Sequence, residues 1–210
     1  MSDYVSQTID VYNTIADSFA KQALNYCPKA QLEYFCSLVK KGGRVLDIGC
    51  GSGRDCASFV QKGFETVGVD LSEKLLGIAK ATVPVATFLK QDIRKLSFSE
   101  NYFDGLWSCA SLLHIAHADI PQTLRSWFTV CKHNGALLIY VKKGIGEEER
   151  EEPSVIGVKR FYSLFTKELL MQYCQKAGFI ILECFDVQKD SNLYNGKESL
   201  PWICCIAKKI

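Results

Sequence analysis

The residues best suited to chemistry form a short glycine-rich segment that follows an apolar run. The segment reads Leu46-Asp47-Ile48-Gly49-Cys50-Gly51-Ser52-Gly53. Glycines at alternate positions allow a tight turn and let a ligand approach the backbone closely. The helix that follows would present free N–H groups at its first turn. We therefore expect a ligand-binding site that is lined by Asp47, Gly49, Cys50, Gly51 and Gly53.

The carboxylate of Asp47 indicates which ligand this turn suits. It would repel a pyrophosphate, which prefers the N-terminus of a helix. It would attract an ammonium group, such as that of the methionine part of S-adenosylmethionine. The spacing is Gly-x-Gly-x-Gly rather than the Gly-x-Gly-x-x-Gly of dinucleotide-binding turns, and no Gly-Lys-Ser/Thr follows as in phosphate-binding loops. The turn therefore favours S-adenosylmethionine over NAD.

Two further acids end the next two predicted strands. Asp70 comes 17 residues after Gly53, and a carboxylate there can accept both hydroxyl groups of a ribose, as it also does in NAD enzymes. Asp92 can accept the amino group of adenine, while Ile93 and Leu71 enclose the ring. Each acid alone is more often a solvated residue at a strand end. Three acids at successive strand ends, beside a glycine turn, predict a nucleoside site.

Strands and helices alternate along the chain, which is typical of an α/β fold. Apolar runs predict strands at 44–50, 65–70, 86–91, 103–109, 136–142, 179–187 and 202–208. Capping residues and apolar spacing predict helices at 53–62, from Ser72 to about Lys80, from Asp119-Ile120-Pro121 to Asn134-Gly135, and from Thr166 to Gly178. The first 43 residues are helical in pattern. Asp190-Ser191-Asn192 and Asn195-Gly196 predict a loop or hairpin that makes the last two strands antiparallel neighbours. We expect one domain over residues 1–210 with a doubly wound, mostly parallel sheet.

Composition narrows the class of protein. The 210 residues are 48% hydrophobic and 23% charged, which suits one globular α/β domain. The net charge is +2 and the basic residues are scattered, so no nucleic-acid partner is expected. The ten cysteines include no Cys-x-x-Cys pair, and the three histidines lie outside zinc-site spacing, so neither a metal nor a disulfide-built fold is expected. Because the sequence shows neither a signal-peptide pattern nor an apolar run of about 20 residues, we expect a cytoplasmic protein without membrane contact. Nothing predicts the oligomeric state.

Four segments together resemble the successive motifs of the class I S-adenosylmethionine-dependent methyltransferases. They are Asp47-Ile48-Gly49-Cys50-Gly51-Ser52-Gly53, Val67-Gly68-Val69-Asp70-Leu71-Ser72, Gln91-Asp92-Ile93 and Tyr102-Phe103-Asp104-Gly105-Leu106-Trp107-Ser108. The resemblance covers residues 40–140 in detail and points to the small-molecule members. It implies a seven-stranded sheet of order 3-2-1-4-5-7-6, with strand 7 antiparallel and helices on both faces. It also implies that Asp47 and the glycines surround the methionine moiety, with Asp70 on the ribose and Asp92 on adenine.

The segment from Val11 to Ala20 resembles an N-terminal cap that is common in small-molecule members. The resemblance implies that Tyr12 and Phe19 lie on an aromatic helix over the cofactor. A helical cap at 1–43 would then precede a core at 44–210. The alternative is that both rings are core residues at positions i and i+7 of one helix face.

The fourth strand and its exit, from Trp107 to His114, should border the sulfonium and the acceptor, with Ser108 at the cofactor. This stretch has neither the Asn/Asp-Pro-Pro-aromatic motif of DNA amino-methyltransferases nor the Pro-Cys of cytosine-C5 enzymes, so both classes are disfavoured. His114 could accept a proton from the acceptor, or it could be a helix-start residue that only shapes the pocket. No base is required in many such reactions, because the sulfonium is already activated and positioning supplies most of the acceleration.

The stretch at 143–165 is long for a connector and is a candidate lid. Its charge run, Glu147 to Glu152, is typical of solvated surface. Arg160-Phe161-Tyr162 is different, because an aromatic cluster beside an arginine suits a cover over an acceptor. We expect Lys142, Arg160 and Tyr162 to bind a small anionic acceptor.

These expectations combine into one function. The protein would transfer a methyl group from S-adenosylmethionine to oxygen, nitrogen or sulfur of an unidentified small molecule, leaving S-adenosylhomocysteine. An NAD-dependent oxidoreductase is the alternative among enzymes, and Asp47 and the glycine spacing argue against it. A non-catalytic cofactor-binding protein of the same fold is the alternative outside the enzymes.

Overall fold

The computed structural model describes residues 3–24, 27–151, 159–187 and 201–210. Within these ranges the helices are α1 (Asp3–Thr14), α2 (Ala16–Ala23), α3 (Lys29–Leu38), α4 (Arg54–Gln61), α5 (Glu73–Thr82), α6 (Ile120–Val130) and α7 (Lys167–Ala177). The strands are β1 (Arg44–Ile48), β2 (Glu65–Asp70), β3 (Thr87–Lys90), β4 (Phe103–Cys109), β5 (Cys131–Lys142), β6 (Glu147–Glu151), β7 (Lys159–Ser163), β8 (Ile180–Val187) and β9 (Trp202–Lys208). A short 3-10 turn spans Leu112–His114.

One sheet of seven strands organises the molecule, in the order β3-β2-β1-β4-β5-β9-β8. The first five of its strands along the chain pair in parallel, and β9 runs antiparallel to both β5 and β8. Counted within this sheet alone, β8 is the sixth strand and β9 the seventh, so the predicted order 3-2-1-4-5-7-6 is confirmed. The strand order reverses between β1 and β4, and ligands of such sheets bind at the carboxyl ends of the strands beside this point.

Helices cover both faces of the sheet because its strands are apolar on both sides. Alternate residues of a strand point to opposite faces. Leu46 and Ile48 join a core that also contains Trp127 of α6 and Leu170 of α7. Val45 belongs to a second core, which contains side chains of α3 and α4. The predicted doubly wound α/β architecture is therefore confirmed.

The boundary between α6 and β5 differs from the prediction. The helix ends at Val130 rather than at Asn134-Gly135, and β5 starts at Cys131 rather than at 136. Cys131 pairs with Phe103, and the β4–β5 register shifts before Ala136 pairs with Gly105. Asn134, with φ +63°, lies inside this irregularity. The Asn-Gly pair therefore marks a bulge in the strand instead of a helix end.

The stretch at 143–165 contains a second, two-stranded sheet formed by β6 and β7. The run that starts at Glu147 was expected as a solvated surface segment, and it is strand β6, in which exposed and half-buried residues alternate. Pairing with β7 explains this difference, since Arg150 lies opposite Arg160 and Glu147 opposite Ser163. Glu152, and the predicted turns at 190–192 and 195–196, lie outside the described residues.

Three further findings concern the part of the chain that the structure describes. None of the helices in it combines the length and the hydropathy that a membrane span requires. Its histidines, cysteines and acids form no group of three that could hold a metal ion. All ten cysteines are free thiols.

Candidate active site

A cavity of about 1050 Å³ opens at the carboxyl ends of β1, β2, β4 and β5, and α1 and α2 contribute to its wall. Most of the residues predicted for the site line this cavity. They are Tyr12, Phe19, Asp47, Gly49, Cys50, Gly51, Asp70, Leu71, Asp92, Ile93, His114, Lys142, Arg160 and Tyr162. Gly53 and Ser108 are not among the lining residues.

The glycine turn approaches the loop after β4 so closely that position 49 has no room for a side chain. Gly49 has φ +76°, and a Cβ atom there would lie 2.3 Å from the Cβ of Ser111. Ser111 donates a hydrogen bond to the carbonyl oxygen of Ile48. Ser108 is fully buried behind it, with its hydroxyl 2.8 Å from that of Ser111. Ser108 therefore supports the turn from below.

Gly53 serves the helix that follows the turn. It is the residue before α4 and has φ +82°. A Cβ there would lie 3.1 Å from the Cβ of Ala79 in α5. Gly53 thus lets the turn enter α4 while α5 packs closely against it.

Asp47 is the most deeply buried acid in the wall of the cavity, with 3% of its surface exposed. Among the described residues it accepts one side-chain hydrogen bond, from the thiol of Cys56 at 3.2 Å. Burial raises the pKa of Asp47 to about 8, and the charge of Asp55 adds to this effect. The site therefore holds a carboxyl group that a cationic ligand would stabilise as a carboxylate.

The two acids that end β2 and follow β3 have different surroundings. The carboxylate of Asp70 accepts hydrogen bonds from the backbone N–H groups of Gly51, at 2.9 Å, and Ser72, at 2.8 Å. Burial nevertheless raises its pKa. Burial also acts to raise the pKa of Asp92, but the hydrogen bonds and charge of Arg94 outweigh it and hold the pKa below its usual range. Asp92 therefore stays ionised, with Arg94 covering part of its carboxylate.

Arg54 and Asp55 also line the cavity, although the sequence reasoning did not select them. The guanidinium of Arg54 makes two hydrogen bonds to the carboxylate of Asp55, at 2.7 and 2.6 Å. Asp55 also accepts a hydrogen bond from the indole of Trp107 at 2.9 Å. Their place in the first turn of the helix after the glycines could have indicated them, since that turn faces the site. The guanidinium of Arg54 also lies 3.5 Å from the sulfur of Cys109, which lines the same cavity.

Tyr12, His114 and Arg160 form one hydrogen-bonded chain. The Nδ1 of His114 lies 2.8 Å from the carbonyl oxygen of Phe161, so this nitrogen must carry a hydrogen. Burial, together with Arg160, lowers the pKa of His114 to about 3, so the ring is neutral at ordinary pH. Its Nε2 is therefore the acceptor, and the hydroxyl of Tyr12 donates to it at 2.9 Å. Arg160 in turn donates to the Tyr12 oxygen at 2.9 Å.

The aromatic pair near the N-terminus lies on two helices, so the placement of both rings on one helix is wrong for the predicted cap as well as for the alternative with spacing i and i+7. The chain bends at Ile15, between Tyr12 in α1 and Phe19 in α2. The two rings meet edge to face with centroids 5.1 Å apart. A Cβ at Gly51 would lie 3.6 Å from the ring of Phe19. Phe19 therefore lies beside the glycine turn.

The end of the cavity at β5 combines cations with aromatic rings. The ammonium of Lys142 lies 4.5 Å from the ring centroid of Tyr162 and 5.8 Å from that of Trp202. Trp202 stacks on Tyr140, with centroids 4.9 Å apart and planes 21° apart. Neither Tyr140 nor Trp202 was selected from the sequence. The pairing of Trp202 with Lys142 across β9 and β5 brings it here, and no local pattern indicates that pairing.

Comparisons with known proteins agree with this architecture. A family model described as a methyltransferase domain matches residues 45–135. Over 110 residues the chain is 37% identical to a Bacillus subtilis protein that bears a methyltransferase name, covering 50% of this chain and 44% of that protein. It is 32% identical over 149 residues to a phosphoethanolamine N-methyltransferase of Triticum aestivum, covering 67% of this chain and 28% of the relative.

Among solved structures, the fold matches the 1,6-didemethyltoxoflavin-N1-methyltransferase of Burkholderia thailandensis, which holds 1,6-didemethyltoxoflavin and S-adenosylhomocysteine. The TM-score is 0.75 at 20% identity, over 99% of this chain and 89% of that one. The chain spans about half the length of the curated relatives it matches. The family-model match, the named relatives and the shared fold together support a class I S-adenosylmethionine-dependent methyltransferase domain in this chain, and S-adenosylmethionine is the cofactor of that class.

Proposed function

We propose that the protein is an active methyltransferase that transfers the methyl group of S-adenosylmethionine to oxygen, nitrogen or sulfur of a small molecule. One observation carries the proposal: a single cavity joins the acids at the strand ends to a cationic, aromatic end at β5 and β7. When bound, S-adenosylmethionine supplies a methyl group whose bond to sulfur breaks as the bond to the nucleophile forms, and the sulfur keeps the electron pair. This chain then has to hold donor and acceptor in line and exclude water.

The residues at the glycine turn fit this cofactor. Asp47 is a buried acid whose pKa is raised, and the ammonium group of the methionine moiety would add a positive charge beside it. Gly49 and Gly51 line the cavity and carry no side chain, so a ligand can approach the backbone of the turn closely. Both features support binding of the methionine moiety along Asp47, Gly49, Cys50 and Gly51.

The nucleoside part would lie across the ends of β2 and β3. Asp70 is oriented by the backbone of the turn, and its oxygens can accept the ribose hydroxyl groups as well. Asp92 would accept the adenine amino group, with Leu71 and Ile93 on the two sides of the ring. Phe19 supports a covering role for α2, because its ring lies next to Gly51.

His114 would act by positioning rather than as a base. Its Nε2 already accepts a hydrogen bond from Tyr12, and its pKa is lowered to about 3. A base with so low a pKa removes protons poorly at neutral pH. The hydrogen-bonded chain would instead hold the Tyr12 hydroxyl and the Arg160 guanidinium at the acceptor. Lys142, Arg160 and Tyr162 support an anionic acceptor, which can attack without first losing a proton.

Calorimetry on the purified protein tests the cofactor. We expect S-adenosylhomocysteine to bind and NAD to give no heat, and heat with NAD alone would refute the proposal. Mass spectrometry of an acceptor panel incubated with S-adenosylmethionine then tests transfer. If S-adenosylhomocysteine bound tightly and no acceptor gained a methyl group across a broad panel, a non-catalytic binding protein would be favoured instead.

A further inference from the structure

The charged residues of the cavity wall differ between its two ends, although the cation Arg54 lies among the acids and pairs with Asp55. The acids among its described lining residues, which are Asp47, Asp55, Asp70 and Asp92, lie at β1, β2, β3 and the start of α4. Lys142 and Arg160 lie at the other end, on β5 and β7. The cations on β5 and β7 would favour an anionic acceptor, whereas the ammonium group of the donor would stabilise the ionised form of Asp47 at the other end.

The cationic end is also built from flat rings. Tyr140 and Trp202 stack on each other, and Tyr162 lies under the ammonium of Lys142. The guanidinium of Arg160 lies 5.5 Å from the ring of Tyr162. Rings held in this way provide faces and edges against which another planar ring packs favourably. An aliphatic chain would gain less from these surfaces.

Trp202 contributes a third feature, a buried hydrogen-bond donor. Its indole nitrogen is shielded from solvent, and no acceptor lies within hydrogen-bond distance of it in the described part of the chain. The other two tryptophans differ, because Trp107 donates to Asp55 and Trp127 donates to the carbonyl oxygen of Ile93. A buried donor without a partner is unfavourable, and Trp202 lines the cavity, so a ligand that brings an oxygen to this nitrogen would gain affinity.

We propose that the acceptor is a planar aromatic acid, whose ring packs at Tyr140, Trp202 and Tyr162 and whose oxygens face Lys142, Arg160 and the indole N–H of Trp202. This inference rests on the proposed function, since it places the acceptor beside the cofactor. It selects aromatic acids over aliphatic acids of equal charge, and over aromatic molecules that are neutral or cationic. Trp202 becomes a specificity-determining residue.

Binding to the complex with S-adenosylhomocysteine tests the proposal without any need for turnover. The probes are 4-hydroxybenzoate, cyclohexanecarboxylate, 4-hydroxybenzamide and trimethylphenylammonium. Fluorescence reports the site, because Trp107 and Trp127 are fully buried in the core and Trp202 is the tryptophan in the cavity wall. We expect 4-hydroxybenzoate to quench the signal and to bind at least about tenfold more tightly than each other probe.

Two substitutions separate the contribution of the indole N–H from that of the ammonium group. Calorimetry measures binding to Trp202→Phe, because that variant lacks the fluorophore. Trp202→Phe keeps a ring and removes the donor, so binding of 4-hydroxybenzoate should weaken about tenfold while S-adenosylhomocysteine binding is unchanged. Lys142→Gln should weaken it by a similar factor. Lys143→Gln is the matched control, because Lys143 pairs with Asp186 and does not line the cavity.

The outcomes distinguish the two proposals. If S-adenosylhomocysteine does not bind the wild-type protein, the proposed function fails. If it binds, but cyclohexanecarboxylate binds as well as 4-hydroxybenzoate, the aromatic-acid acceptor is refuted. Unchanged affinity for 4-hydroxybenzoate in Trp202→Phe would refute the role of the indole. If that variant also lost S-adenosylhomocysteine binding, the ranking of the four probes on the wild-type protein would still decide the acceptor class.

Discussion

Cofactor binding should be coupled to ionisation of Asp47. The carboxyl group of Asp47 is 3% exposed, and burial raises its pKa to about 8 in the free protein. An ammonium group bound beside it would stabilise the carboxylate and lower that pKa. Below pH 8 the binding of S-adenosylhomocysteine should therefore release a proton, and affinity should rise with pH.

The size of the effect follows from the pKa. With a pKa of about 8, the ionised fraction of Asp47 is about 1% at pH 6 and about 10% at pH 7, so affinity should rise about ninefold between these values. The window stays below pH 7 because an α-amino group, such as that of the cofactor, begins to titrate near pH 8. At pH 6.5 the number of protons released on binding should be about one.

Isothermal titration in buffers of different ionisation enthalpy measures both quantities. Asp47→Asn should bind S-adenosylhomocysteine more weakly at pH 7 and should lose the pH dependence. Asp17→Asn is the control, since Asp17 is exposed on α2 and does not line the cavity, and it should behave like the wild type. Flat affinity between pH 6 and 7 without proton release would refute the coupling.

The raised pKa of Asp47 also predicts how the stability of the free protein depends on pH. A folded-state pKa above the unfolded value stabilises the protein at low pH, and this contribution is lost as pH rises from about 4 to about 8. Each unit of the rise corresponds to about 1.4 kcal/mol. Asp47→Asn cannot ionise, so at pH 7 it should unfold at a higher urea concentration than the wild type. A lower midpoint for the variant would contradict the cause given for the shift.

Two further predictions concern the turn and the histidine. Gly49→Ala should lower the free energy of unfolding by about 3 kcal/mol and abolish cofactor binding, because its Cβ would meet Ser111. Gly63→Ala is also at positive φ but has open space around it, so it should cost only about 1 kcal/mol. Equal losses for the two variants in urea unfolding would contradict the role of the contact with Ser111. Burial and Arg160 lower the pKa of His114 to about 3, so its ring signals in NMR should not titrate between pH 5 and 8. In the unfolded chain the ring is protonated below about pH 6.5, so His114 should lower the free energy of unfolding by about 2 kcal/mol between pH 7 and pH 5. His114→Gln lacks this contribution, so comparing its urea unfolding with that of the wild type at the two pH values measures the effect.

The first three strands of the parallel sheet could be predicted because a glycine or an acid lies at or just after the end of each, namely Gly49, Asp70 and Asp92. The helix starts at Ser72 and Thr166 could also be predicted, since each side chain caps its own helix, at Leu75 and Leu169 respectively. The end of α6 could not be predicted in this way. It depends on the pairing of Cys131 with Phe103, two residues from different elements.

The β6–β7 hairpin also could not be predicted from its local sequence. A run of glutamates has a low intrinsic preference for strands, so its local composition favours solvated surface. The strand forms because β7 pairs with it. In turn, β7 contacts α1, where the ring of Phe161 lies 4.5 Å from that of Tyr4.

The sequence alone predicted three of the four acids that line the described wall of the cavity, namely Asp47, Asp70 and Asp92. Asp47 and Asp70 end adjacent parallel strands, and carboxyl ends of parallel strands must meet at one edge of the sheet. The contacts at the other end, where we propose that the acceptor binds, were decided by tertiary structure. Tyr12 contacts His114 across 102 residues and Arg160 across 148, and Trp202 reaches the cavity through its pairing with β5. No periodicity within a single element encodes such contacts, because they depend on how separate elements pack together.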